Sequence, residues 1–167
     1  MKQKNIVLIG MSGAGKSTLG VLLAKALGKH FVDTDLLIQQ QTGMLLQEYI
    51  DSKGVDAFLN VEEEIVSALT LQNTVIATGG SVVYSDRAMK ALKKNGITVY
   101  LSVDFPSLEK RISNITTRGI VFKGKSDLRS VYEERLPLYT KYADITVDST
   151  ERDIEDTIVK ILDALKK

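Results

Sequence analysis

The residues Gly10-Met11-Ser12-Gly13-Ala14-Gly15-Lys16-Ser17 fit the pattern G-x-x-x-x-G-K-[ST]. Glycines let a backbone curl until its N–H groups point inward at an anion, beside the positive end of a following helix. In such a loop Lys16 can reach the β- and γ-phosphates of a nucleotide, and the Ser17 hydroxyl can ligate Mg²⁺. Ser12, Gly13, Ala14, Gly15, Lys16, Ser17 and Thr18 are therefore the expected nucleotide contacts, with ATP and Mg²⁺ the expected ligands. The flanking sequence agrees. Asn5-Ile6-Val7-Leu8-Ile9 reads as a strand apolar on both faces, hence central in a parallel sheet. Beyond the loop, Leu19, Leu22, Leu23, Ala26 and Leu27 recur at helical spacing, with Gly28 as the stop.

A second chemical signal, Asp33-Thr34-Asp35, ends the short apolar run Phe31-Val32. Ligands of a parallel sheet bind beyond the carboxyl ends of its strands. Both carboxylates should therefore face the place that Lys16 and Ser17 border. On an extended segment alternate side chains share a face, so Asp33 and Asp35 can point the same way. One can hold Mg²⁺ or its waters while the other accepts a hydrogen bond from an acceptor hydroxyl. Capping of the next helix by Asp35 is the structural alternative, and the two roles can coexist.

Further elements must carry these groups. Helical patterns are expected at 45–52, 56–69, 85–94, after Pro106 and at 128–143, with a bend at Pro137. A terminal helix is striped by Ile154, Ile158, Ile161, Leu162 and Leu165. Short apolar runs at 74–77, 97–101 and 145–147 complete a set of strands alternating with helices, the pattern of a layered α/β fold. Residues 116–125 lack periodicity and read as a mobile loop.

Composition narrows the function. With 167 residues, 22 basic and 21 acidic side chains and a net charge of +1, the chain is expected to be a single domain without a nucleic-acid or membrane partner. No apolar run approaches a membrane span, so a soluble cytoplasmic protein is expected. The absence of cysteine excludes disulfides and thiolate metal sites, and the one histidine, His30, reads as structural. No N-K-x-D guanine reader is present, and Asp51-Ser52-Lys53-Gly54 reads as a helix end with Gly54 as its cap. Kinases of small acceptors remain.

At this point the chain resembles the shikimate kinase family. The resemblance rests on Leu8-Ile9-Gly10, Gly13-Ala14-Gly15-Lys16-Ser17-Thr18, Phe31-Val32-Asp33-Thr34-Asp35, Thr42-Gly43-Met44, Gly54 through Phe58, Glu62-Glu63-Glu64 and Arg135-Leu136-Pro137-Leu138-Tyr139. It implies a three-layer P-loop kinase fold with a five-stranded parallel sheet in the order 2-3-1-4-5, flanked by helices, and a monomer. It also implies an acceptor-binding helical region at about 34–70, a mobile lid at about 113–126, and phosphoryl transfer from ATP to a hydroxyl of shikimate. By the same resemblance Ser17 and Asp33 serve Mg²⁺, and Lys16, Asp35 and Arg118 are catalytic. Arg111 lies against adenine, Gly79 and Gly80 line the acceptor pocket, and Arg135 meets the acceptor's carboxylate.

The chain also departs from that pattern. Leu59 stands where the family has a carboxylate-gripping arginine, Ser81 replaces a third consecutive glycine, and Gly119 follows Arg118 where a proline is usual. No arginine occurs before Arg87, which argues against a nucleoside-monophosphate acceptor. The alternatives are the same chemistry on another small hydroxy acid or polyol, or a nucleotide-binding regulatory module without acceptor turnover. Glu62-Glu63-Glu64 reads mainly as a solvated helix face, although Glu62 could project into the acceptor pocket. Tyr132, Tyr139 and Tyr142 read as packing residues.

Overall fold

Five consecutive buried residues, Asn5–Ile9, form β1, the middle strand of the sheet. The computed structural model describes residues 4–113, 120–121, 127–151 and 153–166. After β1 come α1 (Lys16–Leu27), β2 (His30–Asp33), α2 (Thr34–Thr42), α3 (Leu46–Lys53), α4 (Val55–Ser67) and β3 (Thr74–Ala77). A 3₁₀ turn at Val82–Tyr84 leads into α5 (Asp86–Lys94), β4 (Gly96–Ser102), α6 (Phe105–Ser113), α7 (Leu128–Tyr142), β5 (Ile145–Asp148) and α8 (Ile154–Leu165). The five strands pair in parallel in the order β2-β3-β1-β4-β5, as the resemblance implies.

That order reverses the direction of winding. The chain leaves β1 toward β2 at one edge, then crosses from β3 past β1 to β4. Crossovers keep one hand, so a change of direction moves the connecting helices to the other face. α1 packs on β2, β3 and α8, whereas α5 and α7 pack on β4 and α4 packs on α5. The sheet therefore lies between two helical layers, and the loops after β1 and β3 part to opposite sides. The crevice between them is where a ligand can enter.

Sequence punctuation accounts for most element ends. Gly28 takes a left-handed conformation at the end of α1, and the Ser85 hydroxyl accepts the Ala88 N–H at the start of α5. The segment after Phe31-Val32 departs from expectation. Extended backbone ends at Asp33, and Thr34 and Asp35 already lie in the first turn of α2. The physical reason is Asp33 itself, whose Oδ1 accepts the Asp35 N–H at 2.9 Å. The helix cap is thus Asp33 and not Asp35. The polar run Gln39-Gln40-Gln41-Thr42 dilutes the apolar periodicity that would have announced α2.

The main core joins both faces of the sheet to α1, α5, α7 and α8. A second, smaller cluster of Ile38, Leu46, Phe58, Ile65 and Val121 lies under α2, α3 and α4. Arg118 and most of the expected lid at 113–126 fall outside the described residues. Among the described residues no helix is long and apolar enough to cross a membrane.

Gly10 joins the sheet to the loop that follows. Its φ is +146°, and a Cβ there would sit 2.7 Å from the Leu101 carbonyl oxygen of β4. Gly10→Ala is therefore expected to destabilise the protein by about 2 kcal/mol, lowering Tm by about 4–8 °C in a thermal melt.

Candidate active site

The loop from Gly10 to Ser17 ends in a helix start that no side chain caps. Gly15 is the N-cap of α1 with φ 95° and ψ 14°, a left-handed conformation that glycine adopts without strain. The first N–H groups of α1 are thus left to bind an anion. Lys16 is only 7% exposed, and its Nζ donates to the carbonyls of Gly10 at 2.7 Å and Met11 at 2.8 Å. The ammonium is held inside the loop.

Ser17 Oγ donates to Asp33 Oδ2 at 2.6 Å, while the other Asp33 oxygen caps α2. Two hard oxygen donors therefore meet beside the loop, the donor type that Mg²⁺ takes. Among the described residues no group of three or more His, Cys, Asp or Glu side chains is arranged for a metal. That donor set suits an ion that completes its shell with phosphate oxygens and water.

The loop separates two clefts. One, of about 220 Å³, is lined by Ser12, Lys16, Ser17, Asp33, Asp35, Gly79, Gly80, Ser81 and Arg135, with Leu36, Leu46, Phe58 and Val121 among its apolar walls. The other, of about 230 Å³, is lined by Gly13, Ala14, Gly15, Thr18 and Arg111 together with Ser149, Glu151, Asp153, Ile154 and Thr157. Of the expected nucleotide contacts, Ser12, Lys16 and Ser17 line the first together with Asp33, Asp35, Gly79, Gly80 and Arg135, whereas Gly13, Ala14, Gly15, Thr18 and Arg111 line the second. Arg111 has a further task. Its guanidinium donates to the carbonyls of Ser149 at 2.6 Å and Thr150 at 2.7 Å, and to that of Gly13 at 3.4 Å, so it ties the phosphate loop to the chain after β5.

The turn after β3 forms one wall of the first cleft, and side chains from three helices pin it. Thr34 Oγ1 of α2 accepts the Gly79 N–H at 3.2 Å, and the Tyr139 hydroxyl of α7 donates to the Gly80 carbonyl at 2.6 Å. Glu62 of α4 accepts the Ser81 hydroxyl at 2.7 Å. A side chain at Gly79 would collide with Asp35 and Glu62, and one at Gly80 would press on Arg135 and Ser12. A side chain at either position would have to displace these groups.

Arg135 is 1% exposed, yet it lines the cleft. Its Nε donates to the Tyr84 hydroxyl at 3.2 Å and its Nη2 to the Val121 carbonyl at 2.6 Å. Among the described residues that line this cleft, Arg135 is the only arginine. Leu59 packs against the smaller apolar cluster and does not line the cleft.

Glu62 is where the structure most exceeds the sequence reading. The expectation of a solvated face holds for Glu64, which is exposed, but is overturned for Glu62, which turns inward behind the Gly79-Gly80-Ser81 wall of the cleft. The carboxyl is 2% exposed, and burial pushes its pKa up to about 7 against the pull of the Ser81 hydroxyl. A signal for this existed. Phe58, Glu62, Ile65 and Val66 are the buried positions of α4, so the glutamate occupies a core site of an apolar stripe. Likewise Arg135 stands in the buried stripe of Val131, Tyr139 and Tyr142 on α7.

Comparison with known proteins agrees with this arrangement. A family model described as shikimate kinase matches residues 12–166. A shikimate kinase of Thermodesulfovibrio yellowstonii is 38% identical over 163 residues, covering 94% of each chain. Among solved structures, a shikimate kinase from Acinetobacter baumannii in complex with shikimate superposes with a TM-score of 0.88 at 30% identity, covering 97% of this chain and 92% of that one. The shikimate kinase from Aquifex aeolicus gives a TM-score of 0.81 at 30% identity, covering 97% and 96%. A phosphate loop, a paired Ser17 and Asp33, and a walled acceptor cleft thus sit on a frame shared along nearly the whole length, and the chain belongs to the shikimate kinase family of phosphotransferases with an alcohol group as acceptor.

Proposed function

We propose that this chain transfers the γ-phosphoryl group of ATP to a hydroxyl of shikimate. The observation that carries the reading is a single cleft lined at once by Lys16 and Ser17 of the phosphate loop, by Asp35 and by Arg135. In-line phosphoryl transfer needs little covalent chemistry from the protein, so these groups act by positioning and by answering charge.

The N–H groups of Gly13 to Ser17 and the Lys16 ammonium would hold the β- and γ-phosphates, with adenosine in the cleft beside Arg111. Ser17 and Asp33 would hold Mg²⁺, which when bound neutralises charge on the transferring phosphates. Asp35, at the start of α2, would orient the acceptor hydroxyl and take its proton as the oxygen bonds to phosphorus. Arg135 would meet the acceptor's carboxylate, with α2 to α4 supplying the rest of the acceptor side. By the resemblance, Arg118 and the lid at 113–126 would add positive charge and exclude water. The enzyme would act as a cytoplasmic monomer on a small-molecule partner, and the near balance of charge, 22 basic against 21 acidic residues, gives no electrostatic pull toward nucleic acid or a membrane surface.

A second reading keeps the chemistry and changes the acceptor to another small hydroxy acid or polyol. It is favoured by Leu59, which leaves Arg135 as the one guanidinium among the described residues that line the cleft. Measuring ADP formation against a panel of hydroxy acids and polyols decides: shikimate is expected to give the highest kcat/KM, and a better acceptor would replace it. Slow hydrolysis indifferent to every acceptor would instead indicate a nucleotide-binding module.

Lys16→Ala should lower kcat by roughly 10³-fold or more in a coupled ADP assay. Asp35→Asn should lower it by roughly 10²–10⁴-fold while calorimetry shows Mg·ATP binding unchanged. If Asp35→Asn turned over normally, the role given to that carboxylate would fall. Arg135→Lys removes the planar fork and is expected to raise the KM for shikimate about thirty- to a hundredfold, with little change in the KM for ATP.

A further inference from the structure

Glu62 occupies an apolar position and keeps two different oxygens. Oε1 accepts the Ser81 hydroxyl at 2.7 Å, whereas Oε2 is buried with no hydrogen-bond partner among the described residues. That second oxygen faces the acceptor wall. A Cβ placed on Gly79 would be 2.7 Å from Glu62 Oε2 and equally 2.7 Å from Asp35 Oδ1. The two carboxyl groups therefore flank one point on the Gly79 backbone, which sets Glu62 just behind the wall of the cleft that Asp35 lines.

The charge around Glu62 is mixed. Asp35 faces it from α2, Arg135 from α7 and Lys16 from α1, and the neutral Ser81 hydroxyl faces it from the turn after β3. Burial raises its pKa to about 7 and the Asp35 charge adds to the rise, while Ser81, Arg135 and Lys16 pull it down. Its protonation matters to its neighbour. An ionised Glu62 has only acceptors to offer. A protonated Glu62, with Oε1 engaged by Ser81, carries its O–H on Oε2, the oxygen beside Gly79 that Asp35 also flanks, and can turn that donor toward the Asp35 carboxylate. That donor competes with the hydroxyl of an incoming acceptor.

We propose that Ser81 is a positioning residue that acts through Glu62: by donating to Oε1 it holds the carboxyl ionised, and so leaves the Asp35 carboxylate to the acceptor hydroxyl. The inference rests on the role given to Asp35 above. It explains why a side chain stands at position 81 after two glycines, and why a buried glutamate with no cationic hydrogen-bond partner among the described residues persists beside the site.

Glutamate-labelled protein, free of all ligands, can be titrated by carbon NMR, with Glu62→Gln identifying the Glu62 signal. The Glu62 midpoint is expected near 7 in the parent chain. In Ser81→Ala it should rise by about one pH unit, since a hydrogen bond to a charged group is worth roughly tenfold in that equilibrium. The acid limb of kcat/KM for shikimate should move up by the same interval, with the KM for ATP unchanged. In Glu62→Gln the amide is a permanent donor to Asp35, so kcat/KM should be at least about tenfold lower and should lose that limb. An unmoved midpoint in Ser81→Ala overturns the proposal, as does a moved midpoint with an unmoved limb, or a limb that survives in Glu62→Gln. Absence of shikimate-dependent ADP formation at every pH would overturn the functional reading and Ser81's part in acceptor binding, and the ligand-free titration would still decide whether Ser81 governs Glu62.

Discussion

A buried ammonium must find oxygen atoms, and Lys16 finds them in the carbonyls of Gly10 and Met11. The rest of the site is built around that contact. Because Lys16 is the first residue of α1, the bond locks the start of the helix to the end of β1. Gly10, one of the two acceptors, is packed against the Leu101 carbonyl at the end of β4. Three elements are thus fixed to one another by backbone atoms, independently of any ligand. The neighbouring Ser17 reaches Asp33 and adds the end of β2 to the same assembly.

The acceptor side is organised differently, by side chains converging on the turn after β3. Thr34, Tyr139 and Glu62 come from three helices and each engages a different residue of Gly79-Gly80-Ser81. Positive and negative groups are interleaved there, Lys16 and Arg135 against Asp35 and Glu62. Such groups are costly in an interior unless they answer one another. Lys16, Arg135, Asp33 and Asp35 line one cleft, so it offers both signs of charge, and the proposed hydroxy acid is an acceptor that would use both.

The frame was largely legible in the residues. The buried run at Asn5–Ile9, the glycine pattern after it and the stop at Gly28 each have a local physical cause, and so each was visible locally. Asp33 was visible as a site residue and as the end of a strand, but Asp33-Thr34-Asp35 was expected to stay extended, and the Asp33 side chain instead caps a helix that begins at Thr34. Glu62 was misjudged for another reason. A glutamate triplet looks solvated in one dimension, and only the phase of Phe58, Ile65 and Val66 turns its first member inward. The contact between Ser81 and Glu62 joins residues 19 apart in sequence, and nothing in a linear pattern announces a pairing of that kind. Leu59 and Ser81 stood out as departures, yet their destinations differ: one packs in a small core and the other bonds a buried acid.

The division of apolar packing into two clusters has a mechanical meaning. Ile38, Leu46, Phe58, Ile65 and Val121 cohere with one another under the acceptor side, apart from the large core that carries the sheet and the phosphate loop. A handful of side chains resists thermal agitation less than a whole core does, so the two halves need not melt in concert. The half built on α2, α3 and α4 can open at a lower free-energy cost than the half that carries the sheet and the phosphate loop, so motion is partitioned by the packing itself.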